Sequence, residues 1–78
     1  MTTDPIQAEY LQLSMQNEIP SMAHYAASWK LLALKAAAHN RPSLAAMCEA
    51  RAEHYGKFDE GEYIKLVEGP LAEMLQSN

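Results

Sequence analysis

The hydrophobic residues of this chain recur at steps of three and four positions over most of its 78 residues. This is the spacing of one face of an α-helix, and no run of β-branched residues indicates a strand. Proline and glycine divide the pattern into segments of helix length, at Pro5, Pro20, Pro42, Gly56, Gly61 and Gly69-Pro70. The sequence therefore predicts an all-α fold, a compact bundle of four to five short helices with helical-hairpin packing, in a single helical domain over residues 1–78.

The first predicted helix has the clearest start in the chain. Asp4 is a good N-cap, and Pro5 suits the first helical position because an N–H there has no intrahelical partner. The inward face is predicted to be formed by Ile6, Tyr10 and Leu13, widened by Leu11 and Met15.

The second predicted helix is apolar on two sides. It begins after Ser21, a favourable N-cap, and its main stripe is Met22, Tyr25, Trp29, Leu32 and Ala36. A second stripe is formed by Ala27, Leu31, Leu34 and Ala38. Because such a helix is normally buried on two sides, either the other helices surround it or a second subunit covers one side. In both cases Trp29 is expected to be a buried anchor.

The C-terminal half is predicted to hold two further helices and a short fifth. The third follows the turn at residues 39–42 and stops at Gly56, with an apolar face of Leu44, Met47, Cys48, Ala52 and Tyr55. Glu49, Arg51 and Glu53 are expected in solvent. The fourth covers residues 59–67 with Tyr63, Ile64, Leu66 and Val67 inward, and Gly69-Pro70 is expected to break it before a last short helix at residues 71–75.

Charge is segregated along the chain, which carries 10 acidic and 6 basic residues and a net charge of −4. The segment 22–42 contains Lys30, Lys35 and Arg41 and no acid, whereas the segments on both sides are acidic. One interpretation is intramolecular complementarity, and the other is an acidic surface that selects a basic protein partner. On the second interpretation the candidate partner-binding residues are Glu49, Glu53, Asp59, Glu60 and Glu62. The acidic balance opposes binding to nucleic acid, whose phosphates require several Lys or Arg contacts.

The residues that usually carry chemistry are few and scattered. His24, His39 and His54 fall on different segments and match no metal-ligand spacing. Cys48 is the only cysteine and lies on an apolar face, where a free thiol usually acts as a small hydrophobe. We therefore predict no catalytic residue, no metal and no cofactor. A lone cysteine, the absence of a signal-peptide pattern and the lack of a 20-residue apolar stretch lead us to expect a cytoplasmic protein that does not enter a membrane.

A segment of the chain resembles a single tetratricopeptide repeat. The residues that carry the likeness are Ser28-Trp29-Lys30-Leu31-Leu32-Ala33, followed by Ala45 and Ala52, and the turn Gly56-Lys57-Phe58-Asp59-Glu60 is similar to the turn between helices of such repeats. The sequence departs from the pattern at Ala36 and Glu49, where large aromatic residues are usual, and a second repeat is not visible. The resemblance implies helical-hairpin packing, because one repeat cannot bury its own apolar face.

These observations favour a non-catalytic protein–protein interaction module that acts as an adaptor, regulator or inhibitor. Its size, acidity and alanine content would suit a bacterial or bacteriophage accessory protein, including one that binds and blocks a host protein. The first alternative is a self-assembling subunit, in which the second apolar side of the Trp29 helix forms a homodimer. The second alternative is a small enzyme that depends on Cys48 and a histidine.

Overall fold

A computed structural model describes residues 4–76 of the chain, so the first three and last two residues of the predicted domain lie outside the described part. Within it the chain forms four helices, which are α1 (Pro5–Ser14), α2 (Met22–Ala38), α3 (Pro42–Gly56) and α4 (Glu60–Gln76). The all-α prediction is confirmed, and no strand occurs among the described residues.

The predicted starts of the first two helices are confirmed at the level of their hydrogen bonds. The Asp4 side chain accepts the backbone N–H of Ile6 at 3.0 Å, with Pro5 in the first turn. The Ser21 side chain accepts the backbone N–H of His24 at 3.1 Å. In both helices a side chain satisfies one of the N–H groups that have no partner within the helix.

Helix α2 is the central element, because α1, α3 and α4 all pack against it. Its contacts with α3 run antiparallel, since Tyr25 lies beside Tyr55 while Lys30, one turn later, pairs with Glu49. Ala23 and Ala27 of α2 are buried, whereas Leu31 and Leu34 of its second apolar stripe are half-buried and Ala38 is exposed. The other helices therefore cover this second side only in part, and a second subunit over the remainder stays a prediction.

Trp29 occupies the centre of the core and is 0% exposed. Tyr10 from α1 and Tyr25 from α2 meet its ring edge-on, with ring centroids 5.3 and 5.8 Å away. Arg51 was expected in solvent, but its guanidinium carbon lies 4.8 Å from the centre of the Trp29 ring. That expectation was wrong because the aliphatic stem of arginine can cover apolar surface, and its planar cation is attracted to aromatic rings.

The turn between α2 and α3 is a Schellman motif. Asn40 adopts the left-handed conformation, with φ 60°, and its N–H donates to the Ala37 carbonyl. The Arg41 N–H donates to the Ala36 carbonyl at 2.9 Å, which completes the pattern. The Arg41 side chain pairs with the carboxylate of Asp4, so the same turn is tied to the start of α1.

Helix α4 continues through Pro70, and the predicted break into a fourth and a fifth helix is wrong. Proline inside a helix removes one backbone hydrogen bond and strains the preceding turn, at a cost of about 3 kcal/mol. The half-buried Val67 and Pro70 follow the half-buried Tyr63 at helical spacing. Packing of this continuous apolar face against α2 offsets the missing hydrogen bond.

Several apolar side chains that were predicted inward are exposed: Leu11, Met15, Met22, Ala38, Met47 and Ile64. The pattern assigned too wide an apolar face to each helix, because short helices in a bundle of this size are covered on only part of their surface. Small residues replace these side chains in the core, where Ala26, Ala33 and Ala52 are almost completely buried. Alanine at these positions lets the helix backbones approach closely.

The three basic residues of the central segment all form ion pairs with acids from neighbouring elements. Lys30 pairs with Glu49 of α3, and Arg41 pairs with Asp4. Lys35 contacts both carboxylate oxygens of Glu9 in α1, at 2.9 and 3.1 Å. Intramolecular complementarity is therefore present. Each such partly exposed pair contributes little stability, roughly 0–1 kcal/mol.

Replacing Trp29 by alanine is expected to lower the free energy of unfolding by about 3–5 kcal/mol, because it removes a fully buried aromatic side chain and leaves a cavity between Tyr10, Tyr25 and Arg51. Urea unfolding followed by circular dichroism measures this change. Phe58→Ala is the matched control, since Phe58 is 67% exposed and its loss is expected to cost no more than about 0.5 kcal/mol. Similar losses in the two variants would contradict the assignment of Trp29 as the core anchor.

Candidate functional site

A groove of 280 Å³ lies where α3 ends and α4 begins. It is lined by Glu53, Gly56, Lys57, Glu60, Tyr63 and Ile64. Tyr63 and Ile64 provide an aromatic ring and an aliphatic side chain, while Glu53 and Glu60 provide carboxylates from two different helices. The groove therefore combines an apolar lining with negative charge.

The shape of the groove depends on the close approach of Gly56 to Tyr63. A Cβ atom at position 56 would lie 2.9 Å from a carbon of the Tyr63 ring, closer than two carbon atoms approach without strain. No glycine among the described residues has a positive φ, so the requirement at Gly56 is for space. The prediction that the third helix stops at Gly56 is confirmed, since Gly56 is the last residue of α3, and the structure adds that Tyr63 packs on it.

The turn between the two helices is held by local hydrogen bonds. The Phe58 N–H donates to the Tyr55 carbonyl, and the Tyr63 N–H donates to the Asp59 carbonyl at 3.0 Å. The Asp59 side chain accepts the backbone N–H of Glu62 at 3.3 Å. The first bond closes the end of α3 and the other two start α4, so only residues 57–59 separate the helix that carries Gly56 from the helix that carries Tyr63.

Electrostatics around Tyr63 reflect both burial and the surrounding acids. Burial raises the pKa of the Tyr63 hydroxyl, and Lys30 acts in the opposite direction. Glu49 and Glu53 raise the pKa further. The hydroxyl is therefore neutral at physiological pH, and the ring is a neutral aromatic surface beside carboxylates.

The five acidic residues proposed from the sequence have different positions in the structure. Glu49 is half-buried and paired with Lys30, and Asp59 caps the start of α4. Glu62 is half-buried in the first turn of α4. Of the five, only Glu53 and Glu60 line the groove, so the structure brings together these two and places Glu49, Asp59 and Glu62 elsewhere.

Sequence reasoning missed the groove as a site, although it identified some of its residues. Ile64 was predicted to be buried, but it is 49% exposed and lines the groove. Phe58, in the adjoining turn, is 67% exposed and its ring lies 6.2 Å from that of His54. The sequence signals for this region were the acidic residues Glu53 and Glu60, proposed for partner binding, and the glycine at position 56 followed by a short turn.

A second groove, of 350 Å³, lies between α1 and α2. Its charged lining residues are Glu9 and Lys35, which pair with each other. Because these charges already neutralise one another, the groove offers no net charge to a partner. We therefore regard the smaller groove, between α3 and α4, as the candidate functional site.

The groups that could carry catalysis are not brought together in either groove. Ser21 Oγ lies 2.7 Å from His24 Nδ1 at the exposed start of α2, where the same oxygen caps the helix. Cys48 is fully buried, and burial raises the pKa of its thiol against the opposing effect of Arg51. Within residues 4–76 no three His, Cys, Asp or Glu side chains are grouped so that they could hold a metal ion. No helix in this part of the chain is long and apolar enough to cross a bilayer.

No protein-family model, no curated protein and no solved structure matches this chain. A proposal about its function therefore depends on the chain's own surfaces.

The two glycines at this end of the molecule are expected to respond in opposite ways to alanine. Gly56→Ala should lower the free energy of unfolding by about 1–3 kcal/mol, because the new methyl group overlaps the Tyr63 ring. Gly61→Ala should raise it by about 0.5–1 kcal/mol, because position 61 is exposed within α4 and has no atom within 4 Å of the new methyl group. Thermal unfolding of both variants measures whether each substitution raises or lowers the stability. A Gly56→Ala protein as stable as the Gly61→Ala protein would contradict the packing described for the groove.

Proposed function

We propose that this protein is a non-catalytic protein-binding module, and that the groove between α3 and α4 binds a partner segment that presents an apolar group beside a positive charge. The observation that carries the proposal is that Glu53 and Glu60 both line an open apolar groove. Interfaces commonly bury an apolar centre within a polar rim. On this proposal the module is an adaptor, regulator or inhibitor of the protein it binds, including the case of a bacterial or bacteriophage accessory protein that blocks a host protein.

Four basic residues outside the groove are already engaged within the fold and cannot neutralise its carboxylates, which supports a basic partner. Lys30, Lys35 and Arg41 are engaged by Glu49, Glu9 and Asp4, and the Arg51 guanidinium lies over core rings. In the groove two carboxylates stand against one ammonium group, that of Lys57. The site is therefore negative in a protein whose net charge is also negative, and both favour attraction of a cationic surface.

The exposed apolar side chains at this end of the molecule support a protein partner over a small ion. Ile64 and Phe58 are among the large hydrophobic residues with the greatest exposure in the described chain. Aromatic anchors of this kind contribute most of the binding energy in many interfaces, whereas the surrounding charges affect the association rate and the choice of partner.

A homodimer is the second candidate function, and different surfaces favour it. The second apolar stripe of α2 is covered only in part, because Leu31 and Leu34 are half-buried and Ala38 is exposed. Leu11 in α1 and Met15, which follows the helix, are 52% and 73% exposed and add outward apolar side chains. A small enzyme dependent on Cys48 ranks below both, because its thiol is enclosed in the core.

Reversal of the two groove carboxylates is expected to abolish partner binding and leave the fold intact. The variant is Glu53→Lys with Glu60→Lys, and the matched control is Glu68→Lys with Glu73→Lys, which changes net charge equally at exposed positions outside the groove. The tagged proteins are used to capture a partner from the native cell, and association rates are then measured at low and moderate salt. We expect loss of capture, or at least a tenfold slower association, in the groove variant only.

Glu49 is left unchanged in this experiment because reversing it would break its pair with Lys30 and confuse stability with binding. Equal binding by the groove variant and the control, with unchanged melting temperatures, would contradict the proposed site. A single species of twice the 8.7 kDa chain mass without a captured partner would favour the homodimer.

A further inference from the structure

We propose that the groove between α3 and α4 selects an arginine side chain of its partner. This inference rests on the proposed function and adds the chemical identity of the group that the groove receives. It depends on three features that occur together in the groove: the ring of Tyr63, the carboxylates of Glu53 and Glu60, and the aliphatic side chain of Ile64.

Each of these features matches a different part of an arginine side chain. A guanidinium group is planar and weakly hydrated, so it stacks on aromatic rings as well as pairing with carboxylates in a fork geometry. The three methylene groups before it favour apolar contact, which Ile64 offers. A lysine ammonium is a compact and strongly hydrated charge, and it gains less from the Tyr63 ring.

We take one long side chain of the partner as the occupant of the groove, because the groove is small, at 280 Å³, and its aromatic, aliphatic and carboxylate groups lie close together on one short lining.

One of the two arginines of the chain shows the aromatic contact that the inference requires. Arg51 places its guanidinium over two aromatic rings, 5.2 Å from the centre of Tyr10 and 4.8 Å from that of Trp29. Arg41 pairs with the carboxylate of Asp4, so the two arginines together show both kinds of contact proposed for the groove.

Lys57 opposes a cationic occupant, because its ammonium group lies on the lining of the same groove. The two carboxylates together carry one more unit of charge than this ammonium group. Removal of this positive charge in Lys57→Gln should therefore strengthen binding of an arginine side chain, whereas neutralising the carboxylates should weaken it.

The test uses three pentapeptides that differ only in the central residue, which is arginine, lysine or citrulline, the neutral isostere of arginine. Binding to the full chain is measured by amide chemical shifts in nuclear magnetic resonance titrations. We expect the arginine peptide to shift the amides of Gly56, Tyr63 and Ile64, with a Kd about fivefold lower than that of the lysine peptide. The citrulline peptide should bind at least tenfold more weakly than the arginine peptide.

Two double variants control for the site of binding. Glu53→Gln with Glu60→Gln should remove the shifts, while Glu68→Gln with Glu73→Gln, at exposed positions outside the groove, should retain them. Equal affinity for the arginine and lysine peptides would overturn selection of arginine, and the partner-capture experiment would still test the protein-binding function separately. Absence of shifts in the groove with every peptide, or shifts that persist in the groove variant, would also overturn it.

Discussion

Trp29 is enclosed by helices from three parts of the chain, with the rings of Tyr10 and Tyr25 edge-on and the Arg51 guanidinium over its face. In a domain of this size a single large side chain is a considerable part of the core, because small domains bury only about 60% of the surface that their unfolded chains expose. Its indole nitrogen has no hydrogen-bond partner among the described residues, which costs about 1–3 kcal/mol. The aromatic contacts and the complete burial of the ring outweigh this cost.

The position of Trp29 determines the arrangement that produces the groove. Because Arg51 must reach over the indole ring, α3 is held in a fixed register against α2, and the pairs Tyr25–Tyr55 and Lys30–Glu49 follow from the same register. This register places Gly56 at the far end of α3, where Tyr63 of α4 packs on it. One continuous helix, α3, therefore connects the core around Trp29 to the candidate site.

Local signals in the sequence predicted the starts of α1 and α2, the turn before α3 and the burial of Trp29. These features depend on a few neighbouring residues, such as the Asp4 and Ser21 side chains that accept backbone N–H groups. The sequence did not predict that α4 continues through Pro70, because the packing that offsets the missing hydrogen bond comes from α2, which is distant in the chain. Similarly, the spacing of Leu11 and Met15 indicated an apolar face but not that it would be left in solvent.

The acidic residues show the same limit of sequence-based prediction at the candidate site. Their sequence positions indicated a negative C-terminal half, but the spacing alone could not separate Glu49, which pairs with Lys30, from Glu53 and Glu60, which line a groove. That separation arises from the register of α2 against α3 and from the turn at residues 57–59, both of which are tertiary features. Charge patterning therefore predicted that the C-terminal half is negative, whereas the packing of the helices determines which of its carboxylates line the groove.

The proposed contact of a partner with the α3–α4 groove is tested by site-specific photo-crosslinking. A benzophenone amino acid is introduced in place of Ile64, which lines the groove, and separately in place of Met15, which is exposed just after α1. After irradiation in the native cell, we expect the probe at position 64 to crosslink to a segment of a different protein that contains arginine. Crosslinks at position 15 alone, or crosslinks at position 64 only to a second copy of this chain, would contradict it.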